Sequence, residues 1–195
     1  NGVNLSGGQL TVGTGVTIGI AGIATFRSGR IDVGDSLDNL SIGEGAGDAH
    51  TTGTHNTAIG LNALTANTTG GQNVAVGNYA GDANTTGSRN TSLGYNAGST
   101  TTTGNDNTSV GRQALVLNTT GDNNCAFGNS ALEQNTTADD NSAFGFYALA
   151  ANTTGASNVA VGKHALYANT TGAQNVAVGA YALDANTTAS SNVSV

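Results

Sequence analysis

The sequence predicts an all-β fold, a parallel β-solenoid built of 17-residue coils, and three observations carry that prediction. Asparagine recurs at Asn39, Asn56, Asn73, Asn90, Asn107, Asn124, Asn141, Asn158, Asn175 and Asn192, always 17 residues apart with no insertion or deletion. Each unit opens on Asn-x-(Ala/Ser)-apolar-Gly, which alternates with the period of two expected of a strand. Each complete unit closes on a Thr-Thr pair and two variable residues around Gly or Ala, a turn-rich run. A glycine every 17 residues beside Thr-Thr and Asn would also break a helix of that length.

Counting positions from the Asn of each unit, position one is Asn and position three is Ala or Ser. Position four is apolar throughout, from Ile42 to Val195. Position five is Gly43, then Gly60, Gly77, Gly94, Gly111, Gly128, Gly145, Gly162 and Gly179. Position eight is Ala, position nine Leu or Gly, and positions thirteen and fourteen Thr-Thr. The expected coil is a strand, a turn, a second short strand containing Ala-Leu, and another turn. Stacked coils lie about 4.8 Å apart, so each position becomes a ladder of like residues and nine steps make a rod of about 43 Å. Asn56, Asn73, Asn90, Asn107, Asn124, Asn141, Asn158 and Asn175 form the expected amide ladder. The glycines from Gly60 to Gly179 mark a place of positive φ or of close backbone approach.

Positions two, four and nine are expected to fill the interior. Position three, on the other face of the strand, admits only small residues: Ala58, Ala75, Ala126, Ala143, Ala160 and Ala177, with Ser elsewhere. A face open to water has no reason to exclude Lys or Glu. Position three is therefore the expected contact with another copy of the chain.

Residues 1–38 lie outside this register. They are Gly-rich, with short β-type runs such as Val16–Ile20 and Ile23–Phe26, and are expected to form a separate β segment before the 39–195 solenoid. The last unit stops four residues in, at Val195, and the chain opens on Asn1 rather than Met, so a longer fibre is expected.

Composition narrows the functions. Five basic residues stand against 12 acidic ones, a net charge of −7, and no two basic residues adjoin. No phosphate-tracking patch exists, so nucleic acid is not an expected partner. No apolar run reaches the roughly 20 residues of a membrane span. The one cysteine, Cys125, reads as a small apolar filler.

Candidate chemistry is sparse, because catalysis needs unlike groups that converge and a ladder supplies like ones. Asp139–Asp140 could be half of a carboxylate pair for glycan cleavage, but a solvated turn is the expected role. His50, His55 and His164 occupy three different repeat positions and offer no metal-ligand spacing. No catalytic or phosphate-binding motif appears; no cofactor, metal or catalytic residue is expected. The Asn-Thr-Thr runs beginning at Asn67, Asn84, Asn118, Asn135, Asn152, Asn169 and Asn186 are formal glycosylation sequons, expected instead to serve turn hydrogen bonding. The Thr rows raise ice binding, but adjacent residues of a strand point to opposite faces. Tyr79, Tyr95, Tyr147, Tyr167 and Tyr181 fall in positions six, seven and ten, where they could stack on sugars.

The unit Asn-x-Ala-(Ile/Val)-Gly-x-x-Ala-Leu-x-x-Asn-Thr-Thr-Gly-x-x, spanning residues 39–195, resembles repeats of bacteriophage tail-fibre proteins. It is also similar to the Asn-Ser-x-Ala-Ile-Gly head repeat of trimeric autotransporter adhesins, from which it departs by three extra residues per unit around Asn-Thr-Thr. The resemblance implies a left-handed parallel β-roll and a homotrimer of chains side by side. It also implies a structural, non-enzymatic segment of a virion tail fibre or similar surface appendage, extracellular, acting as spacer or attachment rod. The implied partners are other copies, other fibre or virion proteins, and a host-surface glycan. The alternatives are the adhesin head of a bacterial cell surface and an ice- or glycan-binding solenoid.

Overall fold

The computed structural model describes residues 37–195, so all but the last two residues of the 1–38 segment lie outside the described chain. From Asn39 onward the chain winds as a parallel β-solenoid of about nine turns. Strands β1 (Leu40–Ile42) to β10 (Val193–Ser194) stack in chain order as one parallel sheet. Each strand occupies positions two to four and pairs with its equivalent 17 residues on. In β7 (Ser142–Phe144) and β8 (Val159–Val161), for example, Ala143 lies opposite Ala160.

The strand is the only extended piece of each coil. The second strand expected around Ala-Leu does not form; positions six to eleven are turns. The reason lies in the backbone. Position nine has φ of 50° to 54° at Leu64, Leu115, Leu132, Leu149, Leu166 and Leu183, and position seven is equally left-handed, from 54° at Asn62 to 61° at Tyr181. Two left-handed residues so close together rule out an extended run. Coils nonetheless bond to one another here, since Leu149 N–H donates to the Ala165 carbonyl at 2.9 Å. The choice of Leu or Gly at position nine now has a cause: Gly takes this conformation freely, whereas Leu accepts the strain and fills the core.

Position five is glycine for two reasons at once. Gly145 has φ 143°, and a Cβ there would lie 2.6 Å from the Gly162 carbonyl oxygen of the next coil.

Position nine fills the interior as expected, but the two faces of the strand are exchanged. Position three, not positions two and four, faces inward. Ala58, Ala126, Ala143, Ala160 and Ala177 are fully buried within a single chain, and Ala75 nearly so. Ala126, Ala143, Ala160 and Ala177 pack with the alanines of position eight and with Leu115, Leu132, Leu149 and Leu166, and Ala58 and Ala75 pack likewise around Leu64. The expected interchain role of these six alanines is thereby corrected: they are core. Positions two and four point outward, with Ile42, Leu93, Phe127 and Phe144 among the exposed apolar side chains. A 17-residue coil is too narrow to hold large side chains opposite the Leu of position nine, which restricts position three to Ala or Ser.

The apolar core is interrupted. One buried cluster runs from Ala46 to Ala80 and another from Ala114 to Ala177. Between them position nine is Gly81 and Gly98, and position three is Ser92 and Ser109, whose hydroxyls bond to each other at 3.2 Å. Each Leu replaced by Gly forgoes about 1.5–3 kcal/mol of burial.

Candidate functional site

The first groups to account for are the buried amides. Asn56, Asn73, Asn107, Asn124, Asn141, Asn158 and Asn175 are at most 4% exposed, and Asn90 7%. The Asn158 Oδ1 accepts the backbone N–H of Asn175 at 3.0 Å, and its Nδ2 donates to Asn141 Oδ1 at 3.1 Å and to the Gly172 carbonyl at 2.9 Å. The same backbone-to-amide bond links every successive pair from Asn39 to Asn192. Such groups are structural: a buried amide with all its partners supplied has nothing left to offer a substrate.

The Asn of the Asn-Thr-Thr runs make the turn hydrogen bonds expected of them, and they also form a second amide ladder that the sequence reading did not foresee. Position twelve carries Asn67, Asn84, Asn118, Asn135, Asn152 and Asn169, all buried. Their side chains bond coil to coil, as in Asn152 Nδ2 to Asn135 Oδ1 at 3.1 Å. Each also donates to the position-fifteen carbonyl of its own coil, such as Asn152 to Gly155 at 2.9 Å. Being buried, these six asparagines are withheld from glycosylation in the folded chain. The signal was present as Asn at seven of nine repeats, and the turn role alone was read from it. The row breaks at Thr101, leaving the buried Asn84 Oδ1 with no partner.

The turns also use their side chains. At position thirteen each Thr hydroxyl donates to the Thr carbonyl of the next coil, as from Thr136 to Thr153 at 3.1 Å. Position fourteen is exposed, with Thr69, Thr86, Thr103, Thr120, Thr137 and Thr154 in single file. At position sixteen the acids act as acceptors. Asp122 Oδ1 takes the Asn105 N–H at 2.6 Å, and Asp139 Oδ1 takes the Asp122 N–H at 2.8 Å. Asp139 therefore serves the turn, and Asp140 beside it sits at a left-handed corner with φ 59°.

Other charged groups lie on the surface. Arg89 and Asp106, in successive coils, form a two-pronged pair at 2.6 and 2.7 Å. The hydrogen bond from Arg89 holds the Asp106 carboxyl below the usual carboxylate range. Exposed pairs of this kind contribute little to stability. Among the described residues no three His, Cys, Asp or Glu side chains gather at one point. Burial pushes the Cys125 thiol up, away from the reactive thiolate.

Apart from Phe127 and Phe144 on the strands, the aromatic rings of the described residues collect on the turns in two places. Phe146, Tyr147, His164, Tyr167 and Tyr181 pack ring on ring, with centroids 4.5 to 6.1 Å apart, and Lys163 Nζ lies 5.3 Å from the Tyr181 ring. Earlier in the chain, Tyr79 and Tyr95 meet edge to face at 6.2 Å. These two, with Asp82, Asn96, Ser99 and Thr100, line a surface hollow of about 490 Å³. Partial burial raises the Asp82 carboxyl above its ordinary range, against the opposing effect of backbone hydrogen bonds.

Comparison with protein-family models, with curated proteins and with solved structures gave no match, so the fold and its surfaces are the grounds for a functional reading.

Proposed function

We propose that this chain is a structural, non-enzymatic segment of an extracellular fibre, a virion tail fibre or comparable surface appendage. In this reading it works as a rigid spacer and attachment rod made of side-by-side copies of itself. The observation that carries the reading is the outward row at position four. Every side chain in it is apolar, and exposure reaches 52% at Ile42, 44% at Leu93, 40% at Phe127 and Phe144, and 37% at Val161 and Val178. A contiguous apolar stripe running coil to coil along the surface calls for a cover. Only another ladder with the same rise matches it residue for residue over its length, and a second copy is such a ladder. Three copies turning this row to a common axis form the homotrimer that the resemblance implies. Phe127 and Phe144, stacked with centroids 5.3 Å apart, would be the bulkiest part of that contact.

Sedimentation equilibrium tests the assembly. The expected mass is three times the 19.1 kDa of the chain, and Phe144→Asp with Val161→Asp should return it to one chain with an unchanged circular dichroism spectrum. A parent chain that sediments as a stable monomer would defeat this reading. Release of reducing ends from capsular polysaccharide would make it an enzyme instead, and thermal hysteresis would favour an ice-binding solenoid.

A further inference from the structure

The third and fourth coils, which start at Asn73 and Asn90, depart from the repeat mainly in their turns. Their strands keep the common pattern apart from Ser92, while position nine becomes Gly81 and Gly98, and Tyr79, Asp82, Tyr95 and Asn96 stand around them. The core side of this turn is taken up by the serines of position three: a Cβ on Gly98 would lie 2.7 Å from Ser92 Oγ and 3.1 Å from Ser109 Oγ. A leucine at Gly98 would have to displace those hydroxyls. These two coils thus forgo the side chain that fills the core of most others, and over them the outer surface carries the 490 Å³ hollow. That volume lies within the range of sites for small ligands. In a repeat protein, a run that gives up core packing on one side is where a site specific to those units is to be sought.

The walls specify a ligand class. Tyr95 is 49% exposed and Tyr79 half-buried, and their rings stand nearly perpendicular, at 88°. Asp82 supplies a carboxylate, an acceptor of strong hydrogen bonds. Asn96 supplies an amide that can donate and accept at once. The Thr100 hydroxyl donates to the Val116 carbonyl at 2.6 Å, which leaves its oxygen as an acceptor. Flat apolar faces beside groups that bind hydroxyls suit a molecule with C–H groups on one face and hydroxyls at its rim. An anion would meet Asp82 on a chain of net charge −7, and a purely apolar ligand would strand Asp82 and Asn96 without partners. The other aromatic group also has a carboxylate close in the chain, Asp184 three residues after Tyr181, but its five rings are packed on one another with Lys163 against Tyr181.

We propose that the Tyr79–Tyr95 hollow binds a neutral saccharide, one sugar ring resting on Tyr95 with its hydroxyls held by Asp82 and Asn96. All of these residues come from one chain, so the site does not depend on the chain forming a trimer.

The test uses the full chain. It contains no Trp, so tyrosine emission, supported by calorimetry, reports on the site. The neutral probes are chitotetraose, cellotetraose and mannotetraose, with tetragalacturonate as the anionic one. At least one neutral tetrasaccharide should bind saturably with a Kd of about 1 mM or tighter, the range of weak specific sites, and tetragalacturonate at least tenfold more weakly. Tyr95→Ala and Asp82→Asn should each weaken binding tenfold or more without shifting the melting temperature, while Tyr181→Ala should leave it within twofold. No saturable binding of any neutral probe up to about 10 mM would overturn the proposal. Undiminished binding by a folded Tyr95→Ala chain, or loss of binding in Tyr181→Ala, would do the same.

Discussion

At Thr101 a single side chain interrupts an otherwise continuous row of buried amides. Asn84 Oδ1 faces the gap with no donor, and on the far side Asn118 Nδ2 bonds only to the Gly121 carbonyl. A buried acceptor left in this state costs about 1–3 kcal/mol. Thr101→Asn restores a donor for Asn84 and an acceptor for Asn118. We expect it to stabilise the chain by about that amount, read as a rise in the urea midpoint with no change in slope. An unchanged or lower midpoint would mean that the coil cannot seat the larger amide. The same scale explains why position five never varies: one methyl group at Gly145 meets both a left-handed φ and the carbonyl of the next coil.

At the scale of the element, a strand of three residues has two faces, and the solenoid assigns them opposite fates. Ala160 in β8 is fully buried, whereas Val161 beside it is 37% exposed. Ala160→Arg would place a long side chain and an unpaired charge in a core with no room for either. The expected loss is about 3–5 kcal/mol or more, and it falls on the fold of the single chain. Val161→Arg should leave the melting temperature of the separated chain nearly unchanged and act only on self-association. Thermal melts of the two variants at a concentration where the chains are apart distinguish the faces. An Ala160→Arg chain that melts like the parent would restore the interchain role first expected of position three.

The whole rod is held together by contacts between neighbouring coils, so local stability follows the local core. Backbone bonding continues through the third and fourth coils, as in Gly98 N–H to the Ala114 carbonyl at 2.9 Å. The apolar core does not continue there, and this weak stretch divides the buried clusters of Ala46–Ala80 and Ala114–Ala177. Native-state hydrogen exchange should therefore be faster for Gly81, Ala83 and Gly98 than for Leu132, Leu149 and Leu166, by about tenfold or more. Equal protection along the rod would show that the amide ladders alone set its stability. The interrupted core and the saccharide hollow lie over the same coils, so stability and binding trade against each other there.

The sequence by itself determined the repeat, its 17-residue length, the strand at positions two to four, the parallel stacking and the ladder of Asn56 to Asn175. All of these follow from periodicity, which is a property of the chain. Which side of the strand faces in was decided only by the tertiary structure. Alternation shows which residues share a face but carries no sign, and the small residues of position three fit a cramped interior as well as a close neighbour. The turn at Ala-Leu was equally hidden, because a column of Leu broken only by Gly47, Gly81 and Gly98 reads as core packing, and nothing in Leu itself marks a left-handed backbone. The hollow needed the fold as well: Tyr79, Asp82, Tyr95 and Asn96 fall at three different repeat positions, and only winding one coil onto the next brings them to one place.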